Sequence, residues 1–290
     1  MKQTVALIGA GVMGGAIGQR LLDTGHVVRV FDLDPSKRTA LVAHGAVDCT
    51  TAAEAAQQCS FAILSLNNAD IVRAAVFGDR GVAQGIATGA MVIDMSSIDP
   101  AATRQLAADA EQAGFRWLDC PLSGGAPKVA IGQLTVMAGG DGSDFELAKS
   151  VMDDLCANYT LMGPSGAGQT TKLINQVLCA LNFVAVAEAT QLALDAGVNA
   201  SVIPKALHGG RADSAILQEF MAKMAAKDYT PTGRIDNMVK DLNSVQDLAR
   251  STGTAMPLTA TCAEIHRLLT SAGLGGADSA ALMKYFEGPA

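Results

Sequence analysis

At 290 residues, with a hydrophobic share of 49% and a mean hydropathy of +0.26, the chain has material for one large or two moderate cores, which excludes global disorder. Its net charge of −7 and the lack of any Lys/Arg block exclude a nucleic-acid footprint and a basic membrane face. Six cysteines without a CxxC pair (Cys49, Cys59, Cys120, Cys156, Cys179, Cys262) read as small buried hydrophobes in a reducing compartment, and the four scattered histidines offer no metal-ligand spacing, so no metal is expected.

Lys2 is followed almost at once by the strand-like Val5-Ala6-Leu7-Ile8, which leaves no room for a signal peptide. No uninterrupted run reaches the roughly 18 apolar residues of a membrane span. A soluble, cytoplasmic protein that binds neither nucleic acid nor membrane is the expectation.

The first apolar run ends in Gly9-Ala10-Gly11-Val12-Met13-Gly14, after which Ala16, Ile17, Leu21 and Leu22 recur at helical spacing. Strand, tight glycine turn and helix follow one another. A GxGxxG alone is a weak signal, since a glycine turn can be purely structural. Here a second apolar run, Val27-Val28-Arg29-Val30-Phe31, ends in Asp32, on the order of 20 residues past the glycines, as a dinucleotide fingerprint requires. Gly9 permits the turn, Gly11 lets a pyrophosphate approach the backbone, and Gly14 lets helix and strand pack closely, so that the helix N-terminus faces the phosphates. Asp32 would accept from the ribose hydroxyls and repel a 2′-phosphate, which favours NAD. Leu33 beside it supports that choice, while Lys37 and Arg38 leave NADP use open.

Helical segments at 37–44, 51–58, 71–76 and 100–113 alternate with strand-like runs at 61–66, 91–95 and 116–119, and strands at 134–138 and 158–162 bracket a helix near 145–155. That alternation predicts a doubly wound parallel sheet, a Rossmann domain over residues 1–164. Ligands lie beyond the carboxyl ends of such strands, which singles out Leu66-Asn67-Asn68, Asp94-Met95-Ser96-Ser97 and Asp119-Cys120-Pro121-Leu122-Ser123-Gly124-Gly125. The cofactor contacts are assigned to Gly9, Gly11, Val12, Met13, Gly14, Asp32, Leu66, Asn67 and Ser96.

After Pro164 helical periodicity dominates, at 169–196, 200–208, 216–226, 238–252, 257–272 and 277–286, so residues 165–290 are expected to form an all-helical domain. Its first helix joins the two domains. From Leu173 to Ala187 that helix carries no charge, and a burial over most of its circumference is expected.

Lys172 stands at the mouth of this helix, with Asn175 and Gln176 three and four residues on, hence on one face. Such a lysine either snorkels to solvent or sits in a cleft with a lowered pKa. An amide that fixes an alcohol oxygen and an amine that exchanges its proton are the minimum equipment for alcohol oxidation coupled to hydride transfer. Ser123-Gly124-Gly125, at a strand end, offers a hydroxyl and uncovered backbone amides, either as an ordinary turn or as a nest for a substrate carboxylate.

Taken together, Gly9-x-Gly11-x-Met13-Gly14, Asp119-Cys-Pro-Leu-Ser123-Gly124-Gly125, Gly166-x-Gly168-x-x-x-Lys172-Leu-x-Asn175 and Lys240-Asp241-Leu242 resemble the four signatures of the β-hydroxyacid dehydrogenases, in order and over essentially the whole chain. Within that family the chain is most similar to the tartronate semialdehyde reductases, through Ser-Gly-Gly-Ala-Pro-Lys128, Thr171-Lys172-Leu-Ile-Asn175-Gln176, Arg234-Ile-Asp236 and Gly273-Leu-Gly-x-x-Asp278-x-x-Ala280. It is less similar to the 3-hydroxyisobutyrate dehydrogenases. The resemblance implies a Rossmann domain followed by a helical one, assembly as dimers or tetramers, and a small 3-hydroxy acid or its semialdehyde as substrate. It implies Ser123, Gly124 and Gly125 at the substrate carboxylate, Lys172 as general acid/base, Asn175 at the substrate and Lys240 near the cofactor.

Three departures bear on details. Ser65-Leu66-Asn67 replaces the family's Met-Leu-Pro, Gln176 replaces a common second asparagine so that either amide could meet the substrate, and Leu33 replaces an arginine common after the acid, which strengthens NAD. For base catalysis near neutrality the lysine pKa must fall well below its reference of about 10.4. Two rivals are a different enzyme on this scaffold, such as an imine reductase, and a non-catalytic NAD-binding scaffold. An intact Lys172 argues against both. Arg211, after His208-Gly209-Gly210, reads as a solvated loop residue, and Lys128 as a surface residue near the turn.

Overall fold

The computed structural model describes residues 2–287, and the chain divides into two compact units, Met1–Lys172 and Leu173–Ala290. The elements run β1 (Thr4–Ile8), α1 (Val12–Asp23), β2 (Val27–Phe31), α2 (Pro35–Ala43), β3 (Val47–Asp48), α3 (Ala52–Ala56), β4 (Phe61–Leu64), α4 (Ala69–Phe77), β5 (Met91–Asp94), α5 (Pro100–Gln112) and β6 (Arg116–Asp119). There follow β7 (Leu122–Ser123), α6 (Gly125–Ala130), β8 (Leu134–Gly139), α7 (Gly142–Met152) and β9 (Cys156–Gly163). Among the described residues, the named elements that follow are helical: α8 (Ala167–Asp195), α9 (Ile203–Leu207), α10 (Ala215–Ala225), α11 (Ile235–Thr252), α12 (Pro257–Leu269) and α13 (Met283–Phe286).

The first unit is built on one sheet in the order β3-β2-β1-β4-β5-β6-β8-β7, with β9 on β8. Alternation along β1 explains the layering. Val5 and Leu7 pack on one face with Ile17, Leu21 and Ile63, whereas Ala6 and Ile8 pack on the other with Ala55, Leu64 and Val92. A sheet covered by helices on both faces needs apolar strands throughout, and β4 and β5 are buried at every position.

The doubly wound sheet departs from parallel pairing at one end. β8 runs antiparallel to both β6 and β7, and only β9 then returns parallel to β8. The physical reason lies at Gly124 and Gly125, with φ of 124° and 70°: the chain reverses there, and α6 is too short to carry it back across the sheet for a parallel crossover. β3, β7 and α6 have no counterpart among the expected elements. Each is so short that periodicity cannot register it.

In the second unit, α11 buries Ile235, Met238, Leu242, Val245 and Ala249 at alternating three- and four-residue steps and ends at Gly253 in the left-handed region. The expected helices at 200–208 and 277–286 are broken, each into a 3₁₀ turn followed by a short helix. α8 also differs from expectation. It is continuous over 29 residues, but Ile174, Leu178 and Leu192 are exposed, while Ala180, Ala187 and Ala193 are buried. By length and composition α8 would suffice for a membrane span, with a mean hydropathy of 1.7 over 18 residues, because Asn175, Gln176 and Asn182 interrupt the apolar run without lowering its average far.

Asp278 staples the second unit. Fully buried, it accepts hydrogen bonds from Thr232 N (2.6 Å), Thr232 Oγ1 (2.8 Å), Gly233 N (3.2 Å), Ala280 N (3.0 Å) and Lys223 Nζ (3.0 Å). Arg234 pairs with Asp278 as an isolated bridge, and Asp236 N donates to Gly275 O at 2.9 Å. The Arg234-Ile-Asp236 and Gly273-to-Ala280 stretches thus serve one another as a structural closure.

Candidate active site

Parallel register sets the geometry of the first unit's carboxyl edge. Ile8 pairs with Phe31 and Leu64, Leu64 with Asp94, and Asp94 with Asp119. The chain therefore leaves β1, β2, β4, β5 and β6 along one row, which brings Gly9, Asp32, Leu66, Asn67 and Ser96 to a common edge. There Gly9 N donates to Phe31 O, Ala10 N donates to Asp32 Oδ2 at 2.8 Å, and Leu66 N donates to Ser96 Oγ at 3.0 Å.

The glycine turn fits a dinucleotide. Gly9 has φ 94°, and a Cβ at Gly14 would lie 1.9 Å from Gly9 O, so neither position accepts a side chain. A Cβ at Gly11 would meet nothing within 4 Å, which leaves open space above the turn. Gly11 is the N-cap of α1, with no side-chain cap and no acid in the first turn, so the first N–H groups and the positive helix end remain for an anion. Val12 is exposed and Met13 packs against the core. Asp32 Oδ1 accepts from Asp34 N at 2.9 Å, and Leu33 points no cation at the acid, being 87% exposed and apolar.

Two of the residues at the singled-out strand ends, Asp94 and Asp119, to which the sequence assigned no role of their own, are buried carboxyls paired in register across β5 and β6. Asp119 accepts from Gly166 N (2.8 Å, Oδ1) and Gln169 N (2.9 Å, Oδ2). Asp94 accepts from Ser96 N at 3.0 Å, but its Oδ2 has no partner. Burial pushes the Asp94 carboxyl up to about 7, with the neighbouring Asp119 charge adding to it, and burial pushes Asp119 up to about 6 against the backbone donors that hold it down. Asp119, facing a helix N-terminus, takes the negative charge of the pair, and Asp94 keeps the proton.

This pair predicts a pH effect on stability. Between the unfolded carboxyl value of about 4 and the folded values, the folded state holds more protons, so stability is full at low pH and is lost as pH rises through 6 to 7. An Asp94→Asn variant, which keeps the acceptor for Ser96 N, is expected to lose less melting temperature than the parent between pH 5 and pH 8. Parallel declines in the two proteins would show that Asp94 ionises without cost.

Ser123 closes β7 and pairs with Thr135, and Gly124 and Gly125 form the left-handed turn into α6. Lys128 lies on α6 and is exposed. Lys172, half-buried, lies on α8 one turn past Gln169, whose amide Nε2 donates to Ser96 O at 2.8 Å while its Oε1 accepts from Ile98 N at 3.1 Å. The beginning of α8 is thereby tied to the loop after β5.

Asn175, Gln176 and Lys240 fall in the second unit. Gln176 Nε2 donates to Asp241 Oδ2 at 2.6 Å, and Gln176 Oε1 accepts from Asn175 Nδ2 at 2.9 Å. Both ends of the Gln176 amide are thus engaged within the unit, an arrangement that Asp241, one residue past Lys240, makes. Lys240 Nζ lies 3.5 Å from Asp241 Oδ1. Arg211 is exposed. Among the described residues no group of three or more His, Cys, Asp or Glu side chains is placed to hold a metal.

Residues 4–163 match the family model for the NAD binding domain of 6-phosphogluconate dehydrogenase, and residues 166–286 match that for NAD-binding of NADP-dependent 3-hydroxyisobutyrate dehydrogenase. The chain is 33% identical over 283 residues to the 2-hydroxy-3-oxopropionate reductase of Escherichia coli, covering 98% of this chain and 97% of the relative. It is 32% identical over 289 residues to the L-threonate dehydrogenase of Cupriavidus necator, covering 99% and 97%. Among solved structures, a 3-hydroxyisobutyrate dehydrogenase of Mycobacterium tuberculosis with L-serine superposes with a TM-score of 0.90 at 29% identity, covering 99% of this chain and 100% of that one.

Proposed function

This chain belongs to the β-hydroxyacid dehydrogenases, NAD(P)-dependent oxidoreductases of small hydroxy acids, and we propose that within them it is a reductase of tartronate semialdehyde (2-hydroxy-3-oxopropionate) that works with NAD. The observation that carries the site is the attachment of the Lys172 helix, through Gln169, to Ser96 at the same sheet edge as the glycine turn and Asp32. The substrate assignment draws on the Ser123-to-Lys128 and Thr171-to-Gln176 stretches and on the 33% identity to the Escherichia coli reductase. Relatives that act on L-threonate and L-serine are 32% identical, so threonate, serine and 3-hydroxyisobutyrate are the competing substrates.

In this reading residues 1–164 hold the dinucleotide, and residues 165–290 contribute to the substrate site and to assembly. Gly9, Gly11, Val12, Met13 and Gly14 receive the pyrophosphate, Asp32 the adenosine ribose, and Leu66, Asn67 and Ser96 border the nicotinamide half, and Lys240 is a further cofactor residue. Ser123, Gly124 and Gly125 bind the substrate carboxylate through a hydroxyl and amides that no side chain covers. The bound nicotinamide supplies or accepts the hydride. Lys172 gives a proton to the carbonyl oxygen in reduction and takes it back in oxidation, and Asn175 fixes that oxygen. Gln176, engaged by Asp241 and Asn175, orients Asn175 rather than meeting the substrate.

We further place the protein in the cytoplasm as a homodimer or homotetramer. Burial pushes the Cys59 and Cys262 thiols up to about 11 and that of Cys156 to about 12, which suits unreactive thiols in a reducing compartment. The exposed stripe of Ile174, Leu178, Ala185 and Leu192, at helical spacing on α8, supports a second copy as its cover. Sedimentation of a Leu178→Glu variant is expected to show a smaller species than the parent, and an unchanged sedimentation coefficient would remove this support.

The substrate reading is tested by kcat/KM for tartronate semialdehyde, L-threonate, L-serine and 3-hydroxyisobutyrate, each with NAD(H) and NADP(H). The expected result is the highest value for tartronate semialdehyde with NADH, by about tenfold or more over the other acids. A higher value for one of the other acids would transfer the assignment to that acid.

A further inference from the structure

Lys172 owes its place to groups that are not themselves part of the proposed chemistry. α8 begins at Ala167, and its first N–H groups would have no partner within the helix. Two backbone donors at this end reach one carboxylate: Gly166 N donates to Asp119 Oδ1 at 2.8 Å and Gln169 N to Asp119 Oδ2 at 2.9 Å. Asp119 has no exposed surface, so this is an interior contact between a negative charge and the positive end of a helix.

The approach is close enough to exclude side chains. A Cβ at Gly168 would lie 2.4 Å from Met137 O and 2.6 Å from Asp119 O, and a Cβ at Gly139 would lie 2.5 Å from Asp119 Oδ1. Gly166 adopts φ 91°, where a side chain is strained. The Gly166-x-Gly168 spacing before Lys172 thus has a physical reason, since only bare backbone can bring the helix onto Asp119. Gln169, 1% exposed, completes the attachment on the β5 side through Ser96 O and Ile98 N.

We infer that Asp119 and Gln169 are positioning residues that pin the first turn of α8 to the carboxyl ends of β6 and β5 and so set where the Lys172 amine stands. Lys172 is three residues past Gln169 and therefore on the same side of the helix. A tilt of the first turn displaces the amine by a comparable distance, and a displacement of about 1 Å at a reacting group can cost on the order of 10²-fold in rate. The inference rests on the reading of Lys172 as the acid/base, and it adds how that residue is held.

The test compares Asp119→Asn with Lys172→Ala in the full-length protein. Asparagine has the same shape but offers one acceptor where two donors arrive. NADH-binding sites are counted by fluorescence titration, and kcat is expressed per binding site, so that unfolded protein does not enter. For Asp119→Asn the expected result is a kcat lower by about 10²-fold, with the NADH dissociation constant and the hydroxy-acid KM within about threefold of the parent. A carboxylate that only stabilised the fold would leave kcat per site unchanged.

A kcat per site within about threefold of the parent for Asp119→Asn, while Lys172→Ala has lost turnover, overturns the positioning inference alone. Turnover retained in Lys172→Ala overturns the acid/base reading and this inference with it. If Asp119→Asn does not fold into an NADH-binding protein, Gln169→Leu carries the same comparison. A fall of about tenfold or more in its kcat per site supports the inference, and a parent-like value overturns it.

Discussion

Replacing Lys172 with alanine is expected to lower kcat by about 10³-fold while the NADH dissociation constant stays within about threefold of the parent. The proposed dinucleotide cradle, Gly9, Gly11, Gly14 and Asp32 on the β1 and β2 ends, does not include the lysine. The loss therefore falls on the chemical step. Lys172→Arg sharpens the point, because a guanidinium keeps the charge yet does not release its proton near neutrality. It should be nearly as slow as alanine. Steady-state kinetics that returned a rate within about tenfold of the parent for alanine would remove Lys172 from the reaction.

The largest expected loss of stability comes from Asp278→Ala. This buried carboxylate meets four donors from the backbone and Thr232 together with the Lys223 ammonium, which is itself mostly buried. Truncation leaves those backbone groups without their acceptor and the lysine with Thr230 O but no carboxylate, a change that costs about 3–5 kcal/mol in comparable interior pairs. A fall in melting temperature of order 10 °C at pH 7 follows. Burial alone would raise the Asp278 pKa, but the donors outweigh it and hold the carboxyl down at about 2. The contribution is therefore present above about pH 4 and is lost as pH falls towards 2, so the gap between parent and variant should narrow in acid. Equal melting temperatures at pH 7, measured by circular dichroism, would show that the closure of Thr232 and Gly233 onto Asp278 carries no weight.

Long-range order in the first unit was legible because the periodicity of β1, β2, β4, β5 and β6 is unbroken and each strand is separated from the next by a helical segment. The reversal at Gly124-Gly125 was not legible. Those residues announced a turn, but the direction of the next strand depends on how much helix follows, and α6 is only six residues long. α8 misled for a different reason. An apolar helix side that stays exposed has the same composition as one that is buried, so Ile174, Leu178 and Leu192 could not be told from Ala180 and Ala187.

In the site, single residues with a local chemical signature stood out, notably the glycines, Asp32 and Lys172. Asp94 and Asp119 did not, although both were quoted at strand ends. Their meaning comes from cross-strand register and from a helix some 50 positions later, which a linear reading does not bring together. The signal that could have found Asp119 is the pair of glycines at 166 and 168, since bare backbone at a helix start implies something close to receive it. Gln176 shows the opposite limit. Its spacing from Lys172 put it on the substrate list, but a linear reading does not show that its amide nitrogen donates to Asp241.

The central claim, that this chain moves hydride between a small 3-hydroxy acid and a nicotinamide, is tested most directly by isotope transfer. The protein is mixed with NAD and glycerate deuterated at the alcohol carbon that is oxidised, and the dinucleotide product is examined by mass spectrometry. The expected product is NADH carrying one deuterium, formed in the parent and not detectably in Lys172→Ala over the same interval. NADH without deuterium, or no NADH from any of the small 3-hydroxy acids although the dinucleotide binds, would contradict it.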